Sequence, residues 1–450
     1  MVNSKTIKKG QKRTVTSSDS DSPEKKPRPR LVKTLIMVAV ALIGVGLVLG
    51  LWLNTPDKYS GITTLCGNGW DGFKDVVITG NGNIITVGDS NSRDGDFLGV
   101  FEDSELGQVK GIMAVFNSKG SLSYLKSTKA YTYLSLMAAP DGSVLAAGSV
   151  SQDAAMTAVL ANLDSNGQVL WEQVGLEENN QWNITPMIYQ GLAIGPNDSI
   201  IAYGTTTDDK TFVAKFSWNG IAESFITLDQ GWYVSGVATT SDGGIAIVGR
   251  QAKNPETDLI SNLIPKVAMF DSQGQSKWVK TFGAGMSDLA LAVVATANGI
   301  IVSGKTYSAS NDFSVTDSTG RAVLIEYDLA GEVKWANTYG GSNGDTAFDD
   351  VAVTTAGEII AVGSTTSTDG DFPIEASEAS HIHAIIARLA SDGTLNWSKT
   401  YGGIGNAMLY GVVPTPTGEI VAAGASTTTE GNLPPSCQGQ YAVLIQVPPQ

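Results

Sequence analysis

The side chains best equipped for chemistry lie in two nearly identical turns. Residues 90–97 read SNSRDGDF and residues 366–372 read TSTDGDF. Each sets two aspartates around a glycine: Asp94 and Asp96 in the first, Asp369 and Asp371 in the second. Glu102 and Asp103 follow one turn, Glu375 and Glu378 the other. Flexible sets of oxygen ligands suit a hard cation, and calcium is the cofactor these turns would take. The full twelve-residue calcium loop is absent, so a solvated acidic turn is the competing reading. His381 and His383 are the only histidines. Two apart at the entry to a strand, they share a face. With a carboxylate they could hold zinc, but no third ligand is evident, and two surface residues is the plainer expectation. No Ser-His-Asp set, phosphate cradle or catalytic carboxylate pair stands out, so no catalytic residue is assigned. The stretch GNGNIITVGDS is glycine-rich, yet it reads as a hairpin with no helix behind it, which argues against a dinucleotide loop.

Those turns must be held by something regular, and the sequence repeats. A short apolar phrase ending in glycine recurs seven times: IITVG, VLAAG, IIAYG, IAIVG, IIVSG, IIAVG and IVAAG, closing at Gly88, Gly148, Gly204, Gly249, Gly304, Gly363 and Gly424. Tight turns such as TGNGN, APDGS and TTAGE come before these phrases, where Gly and Asn/Asp tolerate the backbone a hairpin needs. A second hairpin follows, as in AVLANLDSNGQVLW and AVLIEYDLAGEVKW. Two hairpins per repeat of about 55 residues make a propeller blade, and seven repeats predict an all-β, seven-bladed β-propeller over residues 58–447. An aromatic stands four residues past the turn glycine of the second hairpin: Tyr124, Trp171, Trp278, Trp335 and Trp397. At the end of a fourth strand these residues are expected to wedge between neighbouring blades.

The two ends complete each other. The last copy stops at YAVLIQVPPQ without a fourth strand, while residues 58–66 align with the fourth strand that precedes Gly341. The N-terminal strand is therefore expected to close the last blade and hide two sheet edges. That closure brings Cys66 and Cys437, the only cysteines, to neighbouring strand ends. Two cysteines are too few for a disulfide scaffold or a Cys-based zinc module. Outside the cytoplasm this pair should oxidise, which the chain-entropy account values at roughly 5 kcal/mol.

Ahead of the repeats, residues 34–53 read TLIMVAVALIGVGLVLGLWL with no charge. Twenty helical residues span roughly 30 Å, the thickness of a bilayer core. Residues 1–33 carry ten Lys/Arg against three Asp/Glu, although the whole chain is at −15. The positive-inside rule places this polar tail in the cytoplasm as a disordered topology signal, with residues 54–57 as a linker and the propeller outside. A cleaved signal peptide is the alternative, but the apolar run is long and no A-x-A-like site follows. The acidic bulk excludes nucleic acid as a partner.

The phrases WVKTFGAG, WANTYGG and WSKTYGG, with D-G-D-F and a D-S-x-G turn, resemble the W-x-x-T-[YF]-G-G repeat of bacterial secreted and surface-attached propeller proteins. That resemblance covers about residues 58–447, is closest in copies 5 to 7, and implies the fold but no particular activity. LDSNGQVLW bears a weaker likeness to quinoprotein-type propeller repeats, although the vicinal cysteines common there are absent. A sialidase-like reading fits poorly, because residues 54–450 hold four arginines: Arg93, Arg250, Arg321 and Arg388. The functional expectation is a single-pass, membrane-anchored, extracytoplasmic binding module for a protein or cell-surface glycan. The alternative is an exported enzyme, quinone- or metal-dependent, with its site in the central channel.

If Cys66 and Cys437 are joined, limited proteolysis between blades leaves fragments that migrate together on a non-reducing gel and separate with reductant. Fragments that part without reductant rule the pairing out.

Overall fold

A computed structural model describes residues 59–449 except 102–107, 129–130, 153–154, 177–183, 196–197, 209, 227, 230, 254–262, 284–287, 309–312, 314–318 and 435–438. The expected tail 1–33, span 34–53 and linker 54–57 lie outside the described residues, as does Cys437. No described helix is long and apolar enough to cross a membrane.

The repeats fold as seven four-stranded antiparallel sheets. In chain order the innermost strands are Asp71–Ile78, Tyr131–Ala138, Pro186–Ile194, Trp232–Thr239, Leu289–Thr296, Thr346–Val353 and Ala407–Pro414. They define blades 1 to 7. The last blade is built from both termini: Ile62–Leu65 pairs with Tyr441–Val447 in the register Ile62↔Ile445 to Leu65↔Ala442. Pairing the ends in one sheet satisfies two rows of backbone donors and acceptors that a linear array would leave open.

Apolar residues alternate along each strand, but both faces of every blade are buried because a blade lies on each side. The described core accordingly falls into seven clusters, each joining two neighbouring blades. One joins Val421, Ala423, Ala442 and Leu444 of blade 7 to Phe73, Val76, Ile112 and Phe116 of blade 1, so the ring has no seam. The aromatics ending the outer strands cross these junctions. The Trp171 ring lies against Gly220 of the next blade, Trp278 against Gly331, and Trp335 against Gly393. Trp278 also donates from Nε1 to the Leu329 carbonyl at 3.1 Å. Tyr124 lies on Gly167 in the same way, and Trp397 packs beside the blade 6–7 cluster.

The repeated glycine of the second strand has a steric explanation. At Gly88, Gly148, Gly204, Gly249, Gly304, Gly363 and Gly424 an added Cβ would come within 1.9–2.2 Å of a carbonyl oxygen on the innermost strand. That strand carries a β-bulge at this level in every blade, for example between Phe73 and Asp75 and between Phe348 and Asp350. The bulge pushes a carbonyl toward the second strand, and only a residue without Cβ fits beneath it.

All strands alternate in direction, so the two sides of the disc differ. One side carries the short hairpin turns, such as residues 79–83 and 354–358. The other carries the inter-blade connections and the loops after second strands, including the described residues 91–101 and 108–109, 366–382, and 427–434. The chain enters the propeller on the turn side, because Ile62 pairs near the end of Tyr441–Val447.

Gly363→Ala is expected to destabilise the chain by roughly 1–3 kcal/mol through overpacking against the Ala347 carbonyl, read from denaturant unfolding. Gly357→Ala has open space around it and isolates the strain of a left-handed φ, expected at about 1–2 kcal/mol with no packing clash added.

Candidate functional site

The four aspartates of the acidic turns have backbone partners. Asp94 accepts from Asn68 N at 2.7 Å and from the Asn68 side-chain amide, and Asp96 accepts from Cys66 N at 2.9 Å. Asp369 accepts from Ser342 N at 2.7 Å and from the Ser342 hydroxyl, and Asp371 accepts from Gly340 N at 2.9 Å. Each turn therefore clasps the connection that leads into its own blade. Hydrogen bonds from Ser342 hold the Asp369 carboxyl below its usual value. Gly95 and Gly370 adopt positive φ, and a Cβ there would lie 2.2 Å from the Cys66 and Gly340 carbonyls respectively. The phenylalanine that ends each motif is fully buried, with Phe372 edge-on to Phe348 at 5.8 Å. Blade 7 repeats the device as EGNL, in which Asn432 accepts from Gly402 N at 2.8 Å and Leu433 is buried.

The histidines differ from the expectation of two surface residues. His383 is buried at 3% exposure, with Nε2 at 3.5 Å from Glu378 Oε2. Burial lowers its pKa, which favours the neutral ring at neutral pH. The ring lies against Gly402, where a Cβ would approach within 2.5 Å. No three His, Cys, Asp or Glu side chains converge as metal ligands among the described residues. Cys66, which follows Leu65 of the closing strand, packs beside the blade 6–7 cluster, and no described cysteine is free.

The central channel, which the sequence offered only as the site of the alternative enzyme reading and with no residues named, is a cavity of about 680 Å³ lined by all seven innermost strands. At each bulge one residue has no cross-strand partner: Lys74, Leu134, Gln190, Ser235, Leu291, Asp349 and Tyr410 in blade order. All seven line the cavity. The residue after each bulge works between blades. Asp75 accepts from Val76 N and from Leu136 N of blade 2, both at 2.7 Å. Asp350 accepts from Val351 N at 2.8 Å and from Val412 N of blade 7 at 2.9 Å. Gly191 leaves room for the Tyr203 ring, whose hydroxyl donates to the Ser235 carbonyl of blade 4 at 2.6 Å. Ser235 in turn donates to the Ala290 carbonyl of blade 5 at 2.6 Å. A partial polar belt thus ties blades 1 to 2, 3 to 4, 4 to 5 and 6 to 7 at one level of the channel.

The belt concentrates negative charge in poorly solvated positions. Asp75 and Asp350 keep some area toward the channel, yet protein surrounds them closely. Burial, then the Asp350 charge, pushes the Asp75 carboxyl up to about 7. Burial raises Asp350 to about 6, and burial with the Asp350 charge raises Asp349 to about 6. Blade 7 offers Gly411 between the two stapling aspartates, and a Cβ there would lie 2.8 Å from Asp75. The signal was present in the sequence as F-x-D-V, in GFKDVV and AFDDVA, but only the ring shows that both aspartates face one channel.

The fold and its belt define the class: an all-β, seven-bladed propeller with a charged central channel. No protein-family model and no curated protein matches this sequence. Among solved structures it is similar to the WD40 β-propeller domain of Doa1, at 12% identity and a TM-score of 0.46, covering 85% of this chain and 95% of that one. It is also similar to Sqt1 from Chaetomium thermophilum, at 13% identity and 0.47, covering 88% and 100%. A protein of unknown function from Dyadobacter fermentans is similar at 10% identity and 0.43, covering 86% and 99%.

The raised carboxyls set the pH dependence of stability. In the unfolded chain these groups ionise near 3.8, and in the folded chain only near 6 to 7. The folded state therefore binds protons more tightly across that window, and stability is lost as pH rises from about 4 to about 7. The melting temperature is expected to be higher at pH 5 than at pH 8. Asp349→Asn, which breaks no hydrogen bond, should flatten that slope and add on the order of 2 kcal/mol at pH 8. An unchanged slope in the variant would show that Asp349 is not one of the groups responsible.

Proposed function

We propose that this chain is a membrane-anchored, extracytoplasmic binding platform whose loop side docks a protein partner. The observation that carries the reading is the asymmetry of the disc. Among the described residues, the loops after second strands lie on one side and the tight turns on the other. Loops on a rigid scaffold are where binding surfaces concentrate. The loop side also holds solvent-facing apolar residues on adjoining connections: Trp70 at 47% exposure, Leu98 at 77%, Val109 at 49% and Ile404 at 47%. Aliphatic residues around one tryptophan suit a protein surface with an apolar centre better than a sugar chain. The uncharged run 34–53 supports the anchor, and the basic residues before it support an outward-facing propeller.

A photoreactive residue placed at Leu98 in the full chain, expressed in its own membrane, should trap a protein. The same residue at Asn298 on the turn side should not. Trp70→Ala together with Ile404→Ser should cut the trapped yield about tenfold, as expected for losing an interface centre. Equal capture from both sides, or capture of glycan alone, would overturn the protein-docking reading. Protease added to intact cells should digest the propeller; a propeller protected until the cells are opened would refute its extracytoplasmic placement.

A further inference from the structure

The channel holds two opposite charges that do not neutralise each other. Lys74 and Asp349 both occupy bulge positions and both line the same cavity. They stand on blades 1 and 6, with blade 7 and its bulge residue Tyr410 between them. In each innermost strand the bulge residue is the first to line the cavity, so these two stand at its loop-side end.

Neither charge has a matching partner. The Lys74 ammonium lies 5.5 Å from the Tyr410 ring centre and 5.9 Å from that of Trp70. It feels the Asp89 charge, but the described residues give it no ion pair or hydrogen bond. Two aromatic faces steer an ammonium without using its three donors. Asp349 is enclosed by protein; it feels the charge of Lys305, which is paired with Asp345 at 2.8 Å, and its Oδ2 is buried with no hydrogen-bond partner. A buried carboxylate oxygen left unpaired is costly, and native structures carry few of them. Its bulge position keeps some of the residue's area toward the cavity. The adjacent Asp350 differs, since both its oxygens are taken by backbone N–H groups.

We propose that the loop-side end of the channel binds a small zwitterion, its anionic end on the Lys74 ammonium and its cationic end on the Asp349 carboxylate, along the Tyr410 ring. One molecule carrying both charges supplies each group with the partner the chain withholds. Because Tyr410 separates the two, the ligand's charges must stand apart by more than those of a simple α-amino acid. The cavity of about 680 Å³ admits a molecule of that size. This site shares Trp70 with the loop-side docking surface, but its ligand contacts are Lys74 and Asp349, neither of which belongs to that surface.

Calorimetry on the purified full chain at pH 8 tests this with glycine, 4-aminobutyrate and 6-aminohexanoate, against hexylamine and hexanoate as single-charge controls. One of the two longer zwitterions is expected to bind at least about tenfold more tightly than glycine and than either control. Lys74→Met should bring its affinity down to that of hexylamine, and Asp349→Asn to that of hexanoate, with both variants keeping a cooperative melt. No preference for a zwitterion over the single charges in the wild-type chain would overturn the proposal. So would affinities left unchanged in both folded variants. Should a variant fail to fold, the comparison of the five compounds on the unaltered chain decides the matter alone.

Discussion

Everything in this molecule depends on closing the ring. A single four-stranded blade cannot bury either of its faces, and a row of seven would expose one face at each end. Pairing Ile62–Leu65 with Tyr441–Val447 removes both exposed ends at once. The closing strand contributes only four residues, yet it turns a linear array into one in which each blade has two neighbours. The apolar cluster between blades 7 and 1 is built like the other six, so closure adds a junction equivalent to the rest.

Closure also creates the channel, and the channel shapes the repeat. Seven innermost strands converge with their edges facing the axis, and each widens locally with a bulge. The bulge forces glycine onto the second strand and turns one side chain per blade inward. Where the next residue is Asp75 or Asp350, its carboxylate ties two blades through backbone N–H groups. These ties are charge-assisted, but they sit where desolvation opposes ionisation. Blades 3 and 4 are joined by the Tyr203 hydroxyl, which carries no charge at neutral pH.

The acidic turns have a structural role that their spacing alone does not reveal. The D-G-D-F signature stood out because two carboxylates flank a glycine. In the fold, those carboxylates face the backbone of the preceding connection, the glycine permits close approach, and the phenylalanine plugs the blade. The spacing of the aspartates does not reveal the backbone clasp, which depends on the neighbouring connection. His383 shows the converse: nothing in HIHAII reveals that Gly402 of a distant connection lies against its ring.

Local pattern was enough for the blade count, the hairpin turns, the aromatic at the end of the outer strand and the terminal exchange that closes the ring. Each follows from period, turn chemistry or self-alignment, which are properties of short segments. Tertiary structure alone decided which side chains share the channel. Lys74, Asp349 and Tyr410 occupy the same position in three copies, but a repeat alignment assigns them no common space. They meet because seven strands, far apart in sequence, are brought to one axis, and the bulge that turns them inward is set by packing against the neighbouring strand.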